Sequence, residues 1–219
     1  MSTEAFRLPN SDDALVKARR RQIFLAACRV LARKSFHQAT VKEIALEAGL
    51  AAGSIYLYLR NKEEILLLLA ESMVTEAAEA MPPAGASDDD PRRLILGIMR
   101  AALDVIDRYR EAFAVLNHEV RYLARRPQYR ARLELILEPY LGPLGRAIKT
   151  ARDRELMEFD DAASVVEAVH MLCSGWAMGT GILANTDKEG YWAEIVRIID
   201  GRLFATAASQ PVLGMAGRG

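Results

Sequence analysis

The sequence predicts an all-α protein, with an amino-terminal three-helix domain containing a helix-turn-helix and a larger helical domain after it. Three observations predict this. Apolar residues recur at three- and four-residue steps along most of the 219 positions, without the β-branched alternation of strands. A single segment rich in Pro, Gly and Asp, residues 81–91 (MPPAGASDDDP), separates a shorter part from a longer one. Charge is also unevenly placed. Residues 14–62 carry ten Lys or Arg against two acids, so this segment is +8 in a chain of zero net charge and the remainder is −8. Such asymmetry is the electrostatic footprint of a polyanion-binding surface.

Each element has a local reason. Residues 1–12 are polar and mixed in charge and read as a loose arm. A first helix is expected from about Asp13 to Lys34, with Ile23, Ala26, Ala27, Val30 and Leu31 as its buried stripe. Thr40, with Glu43 three residues on, forms a capping box that opens a short helix to Ala48. Gly49 breaks that helix, and another short one follows to about Leu59. A fourth runs from near Lys62 to Ala80. After the linker, Asp90 and Pro91 supply an N-cap and a first helical residue. Helices are then expected at about 91–107, 110–124, 127–155, 161–184 and 190–208, with Pro139 and Pro143 bending the third of them. The domains this implies are 13–61, with 62–80 as a connecting helix, and 81–219.

Residues 41–59 (VKEIALEAGLAAGSIYLYL) have the pattern of a DNA-binding helix-turn-helix. Ile44 and Ala48 face inward, and Ala45 is small enough for the second helix to approach. Gly49 supplies the positive φ of a sharp turn, Leu50 plugs the corner, and Ile55 and Tyr58 land on the inner side. The exposed residues of the second helix are then free to meet base edges and phosphates in a major groove. An ordinary αα-hairpin needs similar residues, but it does not need the coincident basic segment.

Other functions find little support. His37, His118 and His170 are scattered, and His118–Glu119 lacks the second histidine of a zinc helix. Ser174 is not in a nucleophile elbow, and no Gly-rich loop cradles phosphate. Neither an enzyme nor a cofactor or metal site is expected. Residues 168–186 contain no charged side chain, but His170, Ser174, Thr180, Asn185 and Thr186 are too polar for a membrane span. Two distant cysteines, Cys28 and Cys173, and no signal peptide point to the cytoplasm. A helical adaptor that binds another protein is the alternative, and it leaves the basic segment unexplained.

The run Arg19–Leu66 resembles the DNA-binding domain of TetR-family transcriptional regulators. The resemblance rests on Ile23, Ala26, Ala27 and Leu31, then Phe36 and Thr40, then Ile44-Ala45-x-x-Ala48-Gly49. It continues through Gly53-Ser54-Ile55-Tyr56-x-Tyr58 and Asn61-Lys62-Glu63. It implies that Ala52, Gly53, Ser54 and Tyr56 face the groove and that Thr40, Tyr58 and Lys62 hold phosphates. The hydroxyl, phenol and ammonium groups are suitable donors. Four positions depart from the family pattern: Ser35 where Gly is usual, Leu59 where Phe is usual, and Ala51-Ala52 where a hydroxyl cap and a longer residue are common. Specificity is therefore expected to lean on Tyr56, Ser54, Lys42 and DNA shape.

One such motif reads few base pairs, so a homodimer is expected on duplex DNA. The small-residue face of 161–184 (Ala168, Met171, Gly175, Met178, Gly179, Ile182) and the last helix (Trp192, Ile195, Val196, Ile199, Leu203) are the candidate dimer interface. The resemblance implies an apolar effector pocket in the larger domain and repression as the mode of action. Its candidate lining is Met99, Leu103, Ile106, Phe113, Leu116, Glu119, Tyr122, Leu123, Tyr140, Leu144 and Ile148. The stretch Asn117–Leu123 resembles regulators of fatty-acid or sterol breakdown that respond to acyl-CoA thioesters. A planar cation facing Glu119 is the rival effector.

Overall fold

The computed structural model describes residues 14–83, 90–179 and 187–204. Among the described residues every regular element is helical: α1 (Ala14–Leu31), α2 (Val41–Glu47), a 3-10 turn (Ser54–Leu57), α3 (Glu64–Ala80), α4 (Pro91–Arg108), α5 (Arg110–Leu123), α6 (Pro127–Asp153), α7 (Ala162–Gly179) and α8 (Lys188–Ile198), which continues into a π-helical stretch, Ile199–Leu203.

Most boundaries follow the sequence pattern, and the exceptions have physical causes. α1 ends at Leu31, before Lys34, because the chain turns to bring Phe36 and Ala39 into the interior. The second helix of the hairpin is shorter than expected and is wound as a 3-10 turn, with no side-chain cap at its start. α8 begins at Lys188 because Asp187 accepts a hydrogen bond from the Gly190 amide at 2.7 Å, a cap that the apolar periodicity does not reveal. α6 runs unbroken through Pro139 and Pro143 although each removes one intrahelical hydrogen bond. Ile182 lies outside the described residues, as does the chain beyond Phe204.

The chain forms two compact units: Met1–Ala80 with Asp104–Tyr140, and Met81–Leu103 with Leu141–Gly219. In the first, α1 packs against α2, α3 and α5. Its core combines Ile23, Phe24 and Ala27 of α1, Ile44 and Ala45 of α2, Ile55 and Leu59, and Ile65–Leu69 of α3. Phe24 meets Tyr109 edge-on, with ring centroids 4.9 Å apart. Polar bonds brace the same unit. Asn61 caps the α3 amide of Glu64 at 3.1 Å and donates through Nδ2 to the Tyr129 hydroxyl at 3.0 Å. The buried Glu64 carboxylate accepts from the Arg60 amide at 2.9 Å and pairs with Arg132 at 2.7 Å.

The second unit is built on Ile95, Ile98 and Met99 of α4, Leu144 and Ile148 of α6, Cys173 and Trp176 of α7, and Ile195 with Ile199. Burial pushes the Cys173 thiol up to about 12, so it stays protonated and packs as a small apolar group. Arg92 grips Asp200 through two hydrogen bonds, at 2.6 and 2.8 Å, and Arg100 grips Glu189 in the same way.

Gly175 has a role inside this unit. The Tyr191 hydroxyl donates to the Leu172 carbonyl at 2.7 Å, and a Cβ on Gly175 would stand 2.7 Å from that hydroxyl oxygen. We therefore expect Gly175→Ala and Tyr191→Phe each to lower stability by about 1 kcal/mol, because both break this one bond. The double variant should lose less than the sum, as thermal unfolding of all four proteins will show.

Candidate nucleic-acid interface

The hairpin is defined by the ends of α2. At its start Thr40 is extended (φ −116°, ψ 150°), and its hydroxyl accepts from the Glu43 amide at 3.1 Å. Glu43 reaches back to the Thr40 amide at 2.9 Å, which completes the capping box. At the other end Gly49 has φ +65°, the left-handed conformation favoured by glycine. The Gly49 amide donates to Leu46 and the Leu50 amide to Ala45, both at 2.9 Å. That pair of bonds is a Schellman stop. Gln22 of α1 donates to the Ala48 carbonyl, so the turn is fixed to the first helix as well.

Carboxylates on α2 finish the attachment. Glu47 takes Arg29 at 2.6 Å and Arg33 at 2.9 Å, while Glu43 pairs with Lys34. The Lys34 ammonium, with the Thr40 amide and hydroxyl, holds the Glu43 carboxyl below its ordinary value, and Arg29 and Arg33 do the same for Glu47. Much of the basic segment is engaged in this way, for Arg20 and Arg21 also pair with Glu71 and Glu76 of α3, at 2.6 and 3.1 Å. The footprint suggested by charge counting is thus partly internal bracing.

The expected DNA-facing residues separate by exposure. Lys42, Gly53 and Tyr56 are exposed, and Ala52, Ser54 and Tyr58 are half-buried. Ile55 and Leu59 are the fully buried anchors, and the half-buried Tyr58 packs against the same core, on the inner side where the sequence places it. Thr40 lies at the rim with its hydroxyl hydrogen directed to Glu43 at 3.1 Å. Lys62 donates to the His37 carbonyl at 3.0 Å and lies over the Phe36 ring at 4.8 Å, so its ammonium also holds a loop. Leu57 was not singled out by the sequence and is 62% exposed on the 3-10 turn.

The expected pocket residues fall in both units. Met99, Leu103 and Leu144 are fully buried in the second unit, whereas Ile106, Leu116, Leu123 and Tyr140 are buried in the first, with Phe113 half-buried. Glu119 faces His37 at 3.6 Å, and Tyr122 is exposed beneath the Arg125 guanidinium. The second unit carries a cleft of about 620 Å³ lined by Leu141, Gly145 and Lys149 of α6 and by Asp161, Ala162, Ala163, Val166, Glu167 and His170 at and along α7. Its sequence signal is the run of small residues at Gly145, Ala162 and Ala163. Burial holds the His170 imidazole below its ordinary pKa and so favours the neutral ring, despite the nearby Glu167 carboxylate.

Of the expected dimer residues, Met171 and Met178 are exposed on α7, seven residues apart, and Trp192 is half-buried. Ile195 and Ile199 are buried in the second unit and are unavailable to a partner. Gly175 is occupied by Tyr191, and Gly179 is the last residue of α7.

The carboxylates that attach α2 make the first unit acid-sensitive. Their folded-state pKa values lie below the ordinary 4.5. Their contribution is therefore present above that pH and is lost as pH falls through the depressed values. Thermal unfolding followed from about pH 6 to about pH 3 should show this loss, and a variant carrying Glu43→Gln and Glu47→Gln should show a shallower one.

Comparison with known proteins agrees with this geometry. Residues 23–69 match the model of the bacterial regulatory proteins of the tetR family. A fatty acid metabolism regulator protein of Bacillus subtilis is 45% identical over 60 residues, which are 27% of this chain and 31% of that protein, so the match spans less than a third of that relative. The transcriptional repressor KstR2 of Rhodococcus jostii is 25% identical over 188 residues, 84% of this chain and 92% of the other. Among solved structures, the regulator FadR of Bacillus subtilis in complex with stearoyl-CoA superposes with a TM-score of 0.65 at 22% identity, covering 82% of this chain and 96% of that one. The capped α2, the left-handed Gly49 turn and the matched segment agree: residues 23–69 are similar to the amino-terminal domain of the tetR family of bacterial regulatory proteins.

Proposed function

We propose that this protein is a sequence-specific DNA-binding transcriptional regulator, acting as a homodimeric repressor that leaves a palindromic operator when a small, largely apolar effector binds. The observation that carries this reading is the hairpin itself. α2 is capped at both ends and braced to α1, and the turn after it presents Gly53 and Tyr56 to solvent with Lys42 exposed on α2. In this reading residues 13–61 hold the DNA, 62–80 connect, and effector and dimer functions lie within 81–219. Two copies are required because half-sites are read about 34–36 Å apart. The exposed Met171 and Met178 of α7 support that face as the contact between copies.

For the effector we propose an acyl-CoA thioester, with its apolar part seated in the α6–α7 cleft. Support comes from the apolar wall of Leu141, Ala162 and Val166 beside Lys149 and His170. The stearoyl-CoA bound by the Bacillus subtilis regulator supports the same chemical class. Such a ligand acts only by binding the DNA-incompetent state more tightly than the competent one.

Duplex binding measured against salt tests the DNA reading, because phosphate contacts release counterions. We expect Lys62→Ala to weaken all duplexes about equally and to reduce the salt slope by about 1 per bound protomer, whereas Tyr56→Ala changes the preference among sequences. A protein whose binding ignores salt and both substitutions lacks this interface.

Gly145→Leu tests the cleft. A Cβ at Gly145 would meet only Val166, at an ordinary 3.7 Å, and leucine is the better helix former. Operator binding should survive, while release by long-chain acyl-CoA weakens at least tenfold in a titration of the operator complex (~1.4 kcal/mol).

A further inference from the structure

The turn that follows Gly49 is wound more tightly than an α-helix, and this changes which residues share a face. The Tyr56 amide donates to Gly53 at 3.3 Å and the Tyr58 amide to Ile55 at 3.0 Å. With about three residues per turn, positions i and i+3 eclipse. The turn therefore has three columns: Gly53 with Tyr56, Ser54 with Leu57, and Ile55 with Tyr58. The third faces the interior, since Ile55 is fully buried and Tyr58 half-buried. The other two form the outer surface, where Tyr56 is 53% and Leu57 62% exposed. In an α-helix Ser54 would align with Tyr58, and Leu57 would fall to one side.

Leu57 can neither donate nor accept a hydrogen bond, so phosphates and the polar parts of base edges offer it nothing. The one apolar feature on a base edge in the major groove is the thymine 5-methyl group. Leu46 is as exposed, but it lies on α2 beside Val30, Arg33 and Lys34 and does not belong to the turn.

We infer that Leu57 is a specificity-determining residue that packs on the 5-methyl of a thymine in each half-site. The inference rests on the reading that this turn enters the major groove. One methyl group is worth about 0.8 kcal/mol on burial, or about a fourfold loss of affinity when it is removed.

The test uses the full chain and an operator duplex selected by the protein from random sequence. Thymines are replaced by deoxyuridine, which lacks only the methyl, in symmetry-related pairs. The wild-type protein should lose about fourfold per half-site, about fifteenfold for the pair, at one such position. Leu57→Ala should bind the thymine duplex that much more weakly and show no further loss with deoxyuridine, while Leu57→Met keeps most of the methyl effect. The exposed side chain makes loss of fold a minor risk, and an unchanged unfolding temperature checks it. The inference is overturned if the wild type is indifferent to every replacement, or if Leu57→Ala retains the full loss. A wild-type protein that binds no duplex at low ionic strength overturns the DNA-binding reading as well.

Discussion

A helix of seven residues cannot hold itself together in water, because nucleation costs more than so few backbone bonds return. α2 is such a helix, and the placement of the candidate reading surface follows from how it is held. Thr40 and Glu43 satisfy amides at one end, and the Gly49 turn satisfies carbonyls at the other. Gln22, Arg29 and Arg33 then tie the far end to α1, which is long and well buried along one face. The 3-10 turn inherits its position from Gly49 and is anchored by Ile55 and Leu59, with Tyr58 packed beside them. A short, weakly regular element can thus present side chains at fixed positions because its neighbours fix it.

The same logic extends beyond α3. Tyr109 accepts a hydrogen bond from Arg21 at 2.8 Å and donates to Glu76 at 3.0 Å, and Arg108 also pairs with Glu76. Arg126, just before α6, and Arg132, in its second turn, reach Glu63 and Glu64. The segment Asp104–Tyr140 is therefore part of the unit that carries the hairpin. Polar bonds thus join α5 and the first turns of α6 to α1, α3 and the loop that follows the 3-10 turn.

Local rules made the hairpin legible in the sequence. A hydroxyl three residues before a glutamate and a glycine after an apolar helix each have one dominant structural meaning, and the capping box and positive φ are both present. The helix order was readable for the same reason. The winding of Ser54–Leu57 was not, because a four-residue stretch is too short for apolar spacing to separate a three- from a 3.6-residue repeat. The pocket residues were unreadable in another way. Met99, Leu103 and Ile148 have the spacing of a cavity wall and of a packed core alike, and their burial fits both. Charge counting did not show that acids fold back onto Arg20, Arg21, Arg29 and Arg33, because those pairings depend on the fold.

Glu43 and Glu47 have one more consequence. By occupying Lys34, Arg29 and Arg33 they act as built-in surrogates for nucleic-acid phosphate. A stray polyanion, whether RNA or arbitrary chromosomal sequence, must compete with these tethered carboxylates for the same cations. On the proposed DNA-binding reading, that competition weakens sequence-independent adhesion and leaves discrimination to the groups that touch base edges.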